Sequence, residues 1–97
     1  MPTYVSLVRW TDQGIKNYRD TTARAQAFRD SVQQAGGQVR ELLWTFGEYD
    51  IVTVLEAPDD EAAMALLLQT AALGNIRTET MRAMSADEIS SVIGRTS

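Results

Sequence analysis

The stretch Trp44-Thr45-Phe46-Gly47-Glu48-Tyr49-Asp50-Ile51-Val52-Thr53-Val54-Leu55-Glu56 decides how this chain is read. β-branched and aromatic residues fill its two arms, and Gly47-Glu48-Tyr49-Asp50 separates them. That is the composition of two strands joined by a tight polar turn. Phe46 is set opposite Ile51 across the turn, and opposed residues share a face. One face then carries Leu42, Trp44, Phe46, Ile51, Thr53 and Leu55, a full core face. The other carries Glu41, Leu43, Thr45, Val52, Val54 and Glu56. Its centre is apolar, whereas a face left to solvent should read polar. The pattern therefore predicts a sheet covered on both sides.

Working outward, Tyr4-Val5-Ser6-Leu7-Val8-Arg9-Trp10 reads as a first strand, ended by Thr11-Asp12-Gln13-Gly14. Thr11 or Asp12 can cap a short helical turn reaching Tyr18, with Ile15 and Tyr18 packing inward. A longer helix starts after Asp20-Thr21, with Thr21 the better cap, and Ala25, Phe28, Val32 and Ala35 form its apolar stripe. Arg24, Arg29, Asp30, Gln33 and Gln34 fill its other sides. Gly36-Gly37 ends it, one glycine taking the left-handed cap position. The second strand runs from about Val39 to Phe46 and the third from Ile51 to Ala57.

Pro58-Asp59-Asp60-Glu61 then announces a second long helix. Asp59 is its N-cap, and the acids that follow suit the positive end of the helix dipole. Leu66-Leu67-Leu68 cannot all face one core, so that helix is deeply buried or meets another subunit. Asn75 to Met84 reads as a fourth strand, with Ile76, Thr78 and Thr80 on one side and Arg77, Glu79, Met81 and Ala83 on the other. Ser85 and Glu88 have capping-box spacing for a last short helix, with Ile89, Val92 and Ile93 apolar.

The order βαββαβ plus a terminal helix is the ferredoxin-like arrangement of an α+β fold, in one domain over residues 1–97. Right-handed crossovers put both long helices on one sheet face. The mixed face then needs another cover. A second copy packed sheet to sheet, closing a dimeric α/β barrel, is the economical solution. The expected partner is therefore the chain itself, as a homodimer or higher even-numbered oligomer.

Composition excludes more than it selects. The chain of 97 residues has no Cys and no His. A disulfide, a thiolate nucleophile, a Ser-His-Asp triad and most zinc sites are thereby removed. No Asp/Glu run has the loop spacing of a hard-cation site, so no metal and no cofactor are expected. Nine Lys plus Arg against thirteen Asp plus Glu give a net charge of -4. With no basic cluster, neither nucleic acid nor anionic membrane is an expected partner. No apolar run has membrane-spanning length and no signal peptide follows Met1, which points to the cytoplasm.

Trp44-Thr45-x-Gly47-x-Tyr49-Asp50, then Glu56-Ala57-Pro58-Asp59, then Gly74-Asn75-Ile76-Arg77-Thr78 resemble the GYD-domain family, named for its Gly-x-Tyr-Asp turn. The resemblance runs from Tyr4 to about Val92. It implies the dimeric α/β-barrel superfamily, which includes cofactor-free oxygenases, haem-degrading proteins, dye-decolorising enzymes and ligand-sensing domains. Those roles do not carry over residue by residue. Haem-binding members typically need a histidine, which this chain lacks.

The candidate site residues each carry two readings. Tyr49 is a phenol donor at a cavity rim with Asp50 orienting it or a bound cation, or the pair is a turn in which Asp50 accepts backbone N–H groups and Tyr49 packs over the first strand or a neighbour. Arg77 grips a carboxylate or phosphate, or it pairs with Glu56 or Asp50. Trp44 is core. Trp10, at a strand end, is the better pocket-rim aromatic. Thr45 and Glu56 are polar handles if the mixed face lines a cavity, and Glu56 is a general base if burial raises its pKa, or a capped or paired surface acid. Three functions follow. The first is a module that binds a small, partly apolar ligand between helices and sheet or inside the barrel. The second is a cofactor-free oxygenase or isomerase acting on an aromatic or quinone-like substrate through Tyr49, Arg77 and Glu56. The third is a structural assembly unit.

Overall fold

The computed structural model describes residues 1–96. Strand β1 (Thr3–Trp10) leads through a short helix α1 (Asp12–Lys16) and a 3-10 turn (Tyr18–Asp20) into α2 (Thr21–Gln34). Strands β2 (Gln38–Trp44) and β3 (Ile51–Glu56) follow, then α3 (Asp60–Ala72), β4 (Ile76–Ala83) and α4 (Ala86–Ile93). The strands form one sheet in the order β2-β3-β1-β4, every neighbouring pair antiparallel.

Period two sorts the strand residues. Tyr4, Ser6 and Val8 of β1 and Ile51, Thr53 and Leu55 of β3 are buried. They face α2, which adds Ala25 and Val32, and α3, which adds Ala63 and Leu66. The tightest packing joins Tyr4, Val32, Leu55, Ala57, Ala63 and Leu66, with Phe28 and Val39 against them. All of these lie toward one end of the sheet, and the other end, around Trp10 and Ile76, is less filled.

Several local expectations hold. Asp59 caps α3, its carboxylate accepting the Ala62 N–H at 2.8 Å. Ser85 and Glu88 form the reciprocal capping box of α4. Gly36, at φ 87, takes the left-handed position after α2. Thr11 caps α1 by accepting the Gly14 N–H at 3.1 Å.

Other expectations are corrected. Trp44, not Phe46, opposes Ile51. The register is displaced by two residues, so the assignment of faces survives. Phe46 falls in the loop and is fully exposed. Trp44 lies on the helix side, but on edge strand β2, where it is 43% exposed rather than core. Its indole N–H donates to the Thr21 hydroxyl at 3.0 Å, which engages the group expected to cap α2. Asp20 holds the cap position instead, without a side-chain bond. Ile15 and Tyr18 point outward, half of each accessible, because α1 packs through its small face at buried Gly14.

The ferredoxin-like dimeric α/β barrel is the main correction. The sheet is open, with β2 and β4 as edges. The chain supplies one open four-stranded sheet and no closed barrel. The mixed face is not dry. Leu43 is 56% exposed and Met81 48%, while Val5, Leu7, Val52 and Val54 are half-buried by their neighbours on the same face. Nor does α4 roof it, since every residue of α4 is exposed. The homodimer, or higher even-numbered assembly, rested on closure of the barrel and loses its structural ground with it. The cytoplasmic assignment narrows likewise: among the described residues, no helix is long and apolar enough to cross a membrane.

Candidate functional site: a hydroxyl-floored cavity between helices and sheet

Where the packing thins, a cavity of about 350 Å³ opens between the sheet and helices α2 and α3. Its volume is at the small end of the ~300–1,000 Å³ typical of ligand pockets. Phe28, Leu42, Ile51, Leu67, Leu73 and Ile76 supply apolar wall. The floor is different. Ser6, Thr53 and Thr78 present hydroxyls from three adjacent strands. Ser6 Oγ lies 2.7 Å from Thr80 Oγ1, which donates to Thr78 Oγ1 at 3.3 Å. Thr53 donates to the Glu41 carbonyl at 2.7 Å. Each buried hydroxyl therefore has a partner, which offsets its desolvation.

Two further groups border this space. Arg24, half-buried on α2, donates to the carbonyls of Asn17 at 2.8 Å and Gly14 at 3.3 Å. Among the described residues it is the only charged side chain lining the cavity, and it has no ion-pair partner. Trp10 also lines the cavity, and its indole nitrogen is buried without an acceptor. Leaving such a donor unpaired costs ~1–3 kcal/mol.

The residues singled out from sequence do not converge on this cavity. Asp50 accepts the Trp10 backbone N–H at 2.9 Å, and its own N–H donates to the Val8 carbonyl at 2.8 Å. Thr45 donates its hydroxyl to the Tyr49 carbonyl at 2.6 Å, which closes the turn. Tyr49 sits on the open face, its hydroxyl donating to Glu79 at 3.1 Å and its ring 4.5 Å from the Arg9 guanidinium. Arg9 also contacts Glu48 at 2.7 Å and Glu79 at 3.3 Å. Partial burial, then the Glu79 bond, raises the Tyr49 phenol pKa. Partial burial opposes the Arg9 charge, but Tyr49, Glu48 and Glu79 outweigh it and hold its pKa above the ordinary value.

Glu56 pairs with Arg40 at 2.6 Å. It stands beside Thr3, whereas Arg77 stands beside Arg9. Those positions are about 20 Å apart along β1 at ~3.3 Å per residue. Arg77 is exposed on edge strand β4 and makes no ion pair among the described residues. Of the candidates, Trp10 alone lines the cavity.

Sequence reading missed Arg24, Ser6, Thr53 and Thr78 as site residues. A signal for three of them was present. Hydroxyls at helix-facing positions of otherwise apolar strands mark a polar floor. Arg24 looked like an ordinary outer residue of its helix, and only the placement of α2 turns it toward the cavity rim.

The family model described as GYD domain matches residues 4–93. The chain belongs to the GYD domain family. A curated relative, the glutamine synthetase and cystathionine beta-lyase binding protein of Thermus thermophilus, is 27% identical over 90 residues, which cover 92% of this chain and 95% of the relative. A crystal structure of a protein from Thermus thermophilus is similar at a TM-score of 0.56 and 27% identity, covering 89% of this chain and 96% of that one. The turn that carries the family's name, Gly47, Tyr49 and Asp50, is here a device that fastens the β2–β3 loop to the end of β1. The cavity of this GYD domain lies on the opposite side of the sheet from the Tyr49 ring.

Proposed function

We propose that this GYD domain is a binding module that holds a small, partly apolar ligand between its helices and its sheet. The observation that carries this reading is the cavity: apolar walls over a floor of hydroxyls already held in place. That combination suits a ligand with an apolar body and few polar atoms. An enzymatic reading through Tyr49, Arg77 and Glu56 has less support, because Glu56 is paired with Arg40 and stands about 20 Å along β1 from Arg77.

The test uses N-phenyl-1-naphthylamine, a neutral apolar dye that brightens on leaving water. Wild-type protein should enhance its fluorescence saturably. Leu67→Trp, which fills the cavity from α3, should abolish the enhancement. Leu43→Lys, on the open face, should leave it intact. The reverse pattern would move the binding site to the open face and end this reading.

A second reading has its own observation. The open face carries an apolar patch around Leu43, Val52, Val54 and Met81. The Thermus thermophilus relative is described as binding two metabolic enzymes. Such a patch suits a protein partner of that kind. Glutamine synthetase purified from the same host should bind the immobilised chain and lose affinity for Leu43→Lys. Equal retention of wild type and variant, or of neither, counts against it.

A further inference from the structure

The cavity, taken as the ligand site proposed above, also carries the chemistry of its ligand. Ser6, Thr53, Thr78, Thr21 and Thr70 contribute hydroxyls to the lining, and Gln69 and Asn75 contribute amides. Among the described residues, no carboxylate and no lysine takes part. One full charge borders the space, the guanidinium of Arg24.

That charge is half-buried, and what it touches is neutral. Two of its five N–H donors go to the carbonyls of Asn17 and Gly14. The described residues give the remaining three no partner. The other cations in polar clusters are treated differently: Arg9 meets Glu48 and Glu79, and Arg40 meets Glu56. An arginine beside an apolar space, held in position by carbonyls and spared a carboxylate, is arranged to receive one. The two carbonyl bonds hold the guanidinium without neutralising it. They also leave its fork geometry available for a planar acid.

We propose that the ligand is a small monocarboxylate with an apolar body, its acid group on Arg24 and its body against Phe28, Leu67 and Ile76. The indole N–H of Trp10, which has no protein acceptor, is a second donor beside the same space. The volume of about 350 Å³ restricts the body to roughly a fused bicyclic ring or a short aliphatic chain.

The experiment is calorimetric titration with two probes of equal body, 2-naphthoate and the neutral 2-naphthalenemethanol. Circular dichroism confirms that each variant is folded. Wild type should bind the acid at least about tenfold more tightly than the alcohol, the order of a charge-assisted hydrogen bond. Arg24→Met should erase that preference while leaving alcohol binding within about twofold. Arg24→Lys should keep part of it. Leu67→Trp should block both probes. Equal affinity of wild type for acid and alcohol, with both blocked by Leu67→Trp, overturns the anion assignment and leaves the cavity reading standing. Binding of neither probe to wild type overturns both. A preference that survives Arg24→Met places the anion elsewhere and also overturns the proposal.

Discussion

The carboxylate of Asp50 accepts the backbone N–H of Trp10 at 2.9 Å, across 40 residues of sequence. The contact joins the loop after β2 to the end of β1, where the strand leaves the sheet. The Asp50 N–H to the Val8 carbonyl and the Thr45 N–H to the Asp50 carbonyl, each 2.8 Å, complete the junction. Asp50→Ala leaves the Trp10 N–H without its acceptor. The expected cost is ~1.5–3 kcal/mol, the range for bonds to charged groups. Urea unfolding should show it as a lower midpoint at unchanged slope, with Asp50→Asn losing less. A midpoint for Asp50→Ala within error of wild type would refute the role.

Gly14 has an ordinary backbone conformation, yet a methyl group there would sit 2.0 Å from the Asn75 carbonyl oxygen. Gly47 is the opposite case, with φ 119 and open space around it. Gly14→Ala must push α1 off the start of β4, at ~1–3 kcal/mol or more. Gly47→Ala meets only backbone strain, ~1–3 kcal/mol, with no atom to displace. Thermal unfolding should rank Gly14→Ala as the more damaging. The opposite ranking would show that α1 yields freely.

Tyr4 is buried, and its hydroxyl donates to the Asp60 carboxylate at the start of α3. Burial first, and the Asp60 bond second, push its phenol pKa from 10.0 up to about 12. A raised folded value means that the folded chain holds this proton more tightly than the unfolded chain. The stabilisation is complete below pH 10 and fades between pH 10 and about 12. Stability should therefore fall more steeply over that window in wild type than in Tyr4→Phe. Parallel alkaline denaturation curves would contradict this.

Glu88 shows the opposite sign. The Ser85 backbone N–H, and then the Ser85 side chain, hold its carboxyl below the ordinary carboxylate range. A depressed folded value gives stability that is present at neutral pH and lost as pH falls through the folded value. Because α4 is exposed throughout, the loss should be local. Amide exchange in Ala86–Ile93 should accelerate on acidification, and Glu88→Gln should remove most of that pH dependence. Uniform acceleration across the whole chain would argue for global acid unfolding instead.

Much of the fold was legible because it is written in local rules. Period two in Ile51–Glu56 gave the faces of the hairpin, and a two-residue error in register left them unchanged. Asp59, Ser85 with Glu88, and Gly36 act within a few residues of themselves, and each sits where its chemistry indicated. Trp44 and Thr21 were misjudged because each answers to the other, 23 residues away. The site was less legible for the same reason. Arg24 and the hydroxyls of Ser6, Thr53 and Thr78 come from four separate elements, and nothing in the spacing of one refers to another.

By itself the sequence determined the element order, the apolar side of the β2–β3 hairpin strands and the caps of α1, α3 and α4, along with the absence of thiol and imidazole chemistry. These depend on residue type and short-range geometry, which each segment carries within itself. The tertiary structure alone decided that the sheet stays open, that Leu43 stands in water, and that one end of the helix–sheet interface is hollow. Filling, closure and convergence arise from how segments far apart in the chain meet. A patterned strand presents the same apolar face whether its neighbour packs tightly against it or leaves room for a ligand.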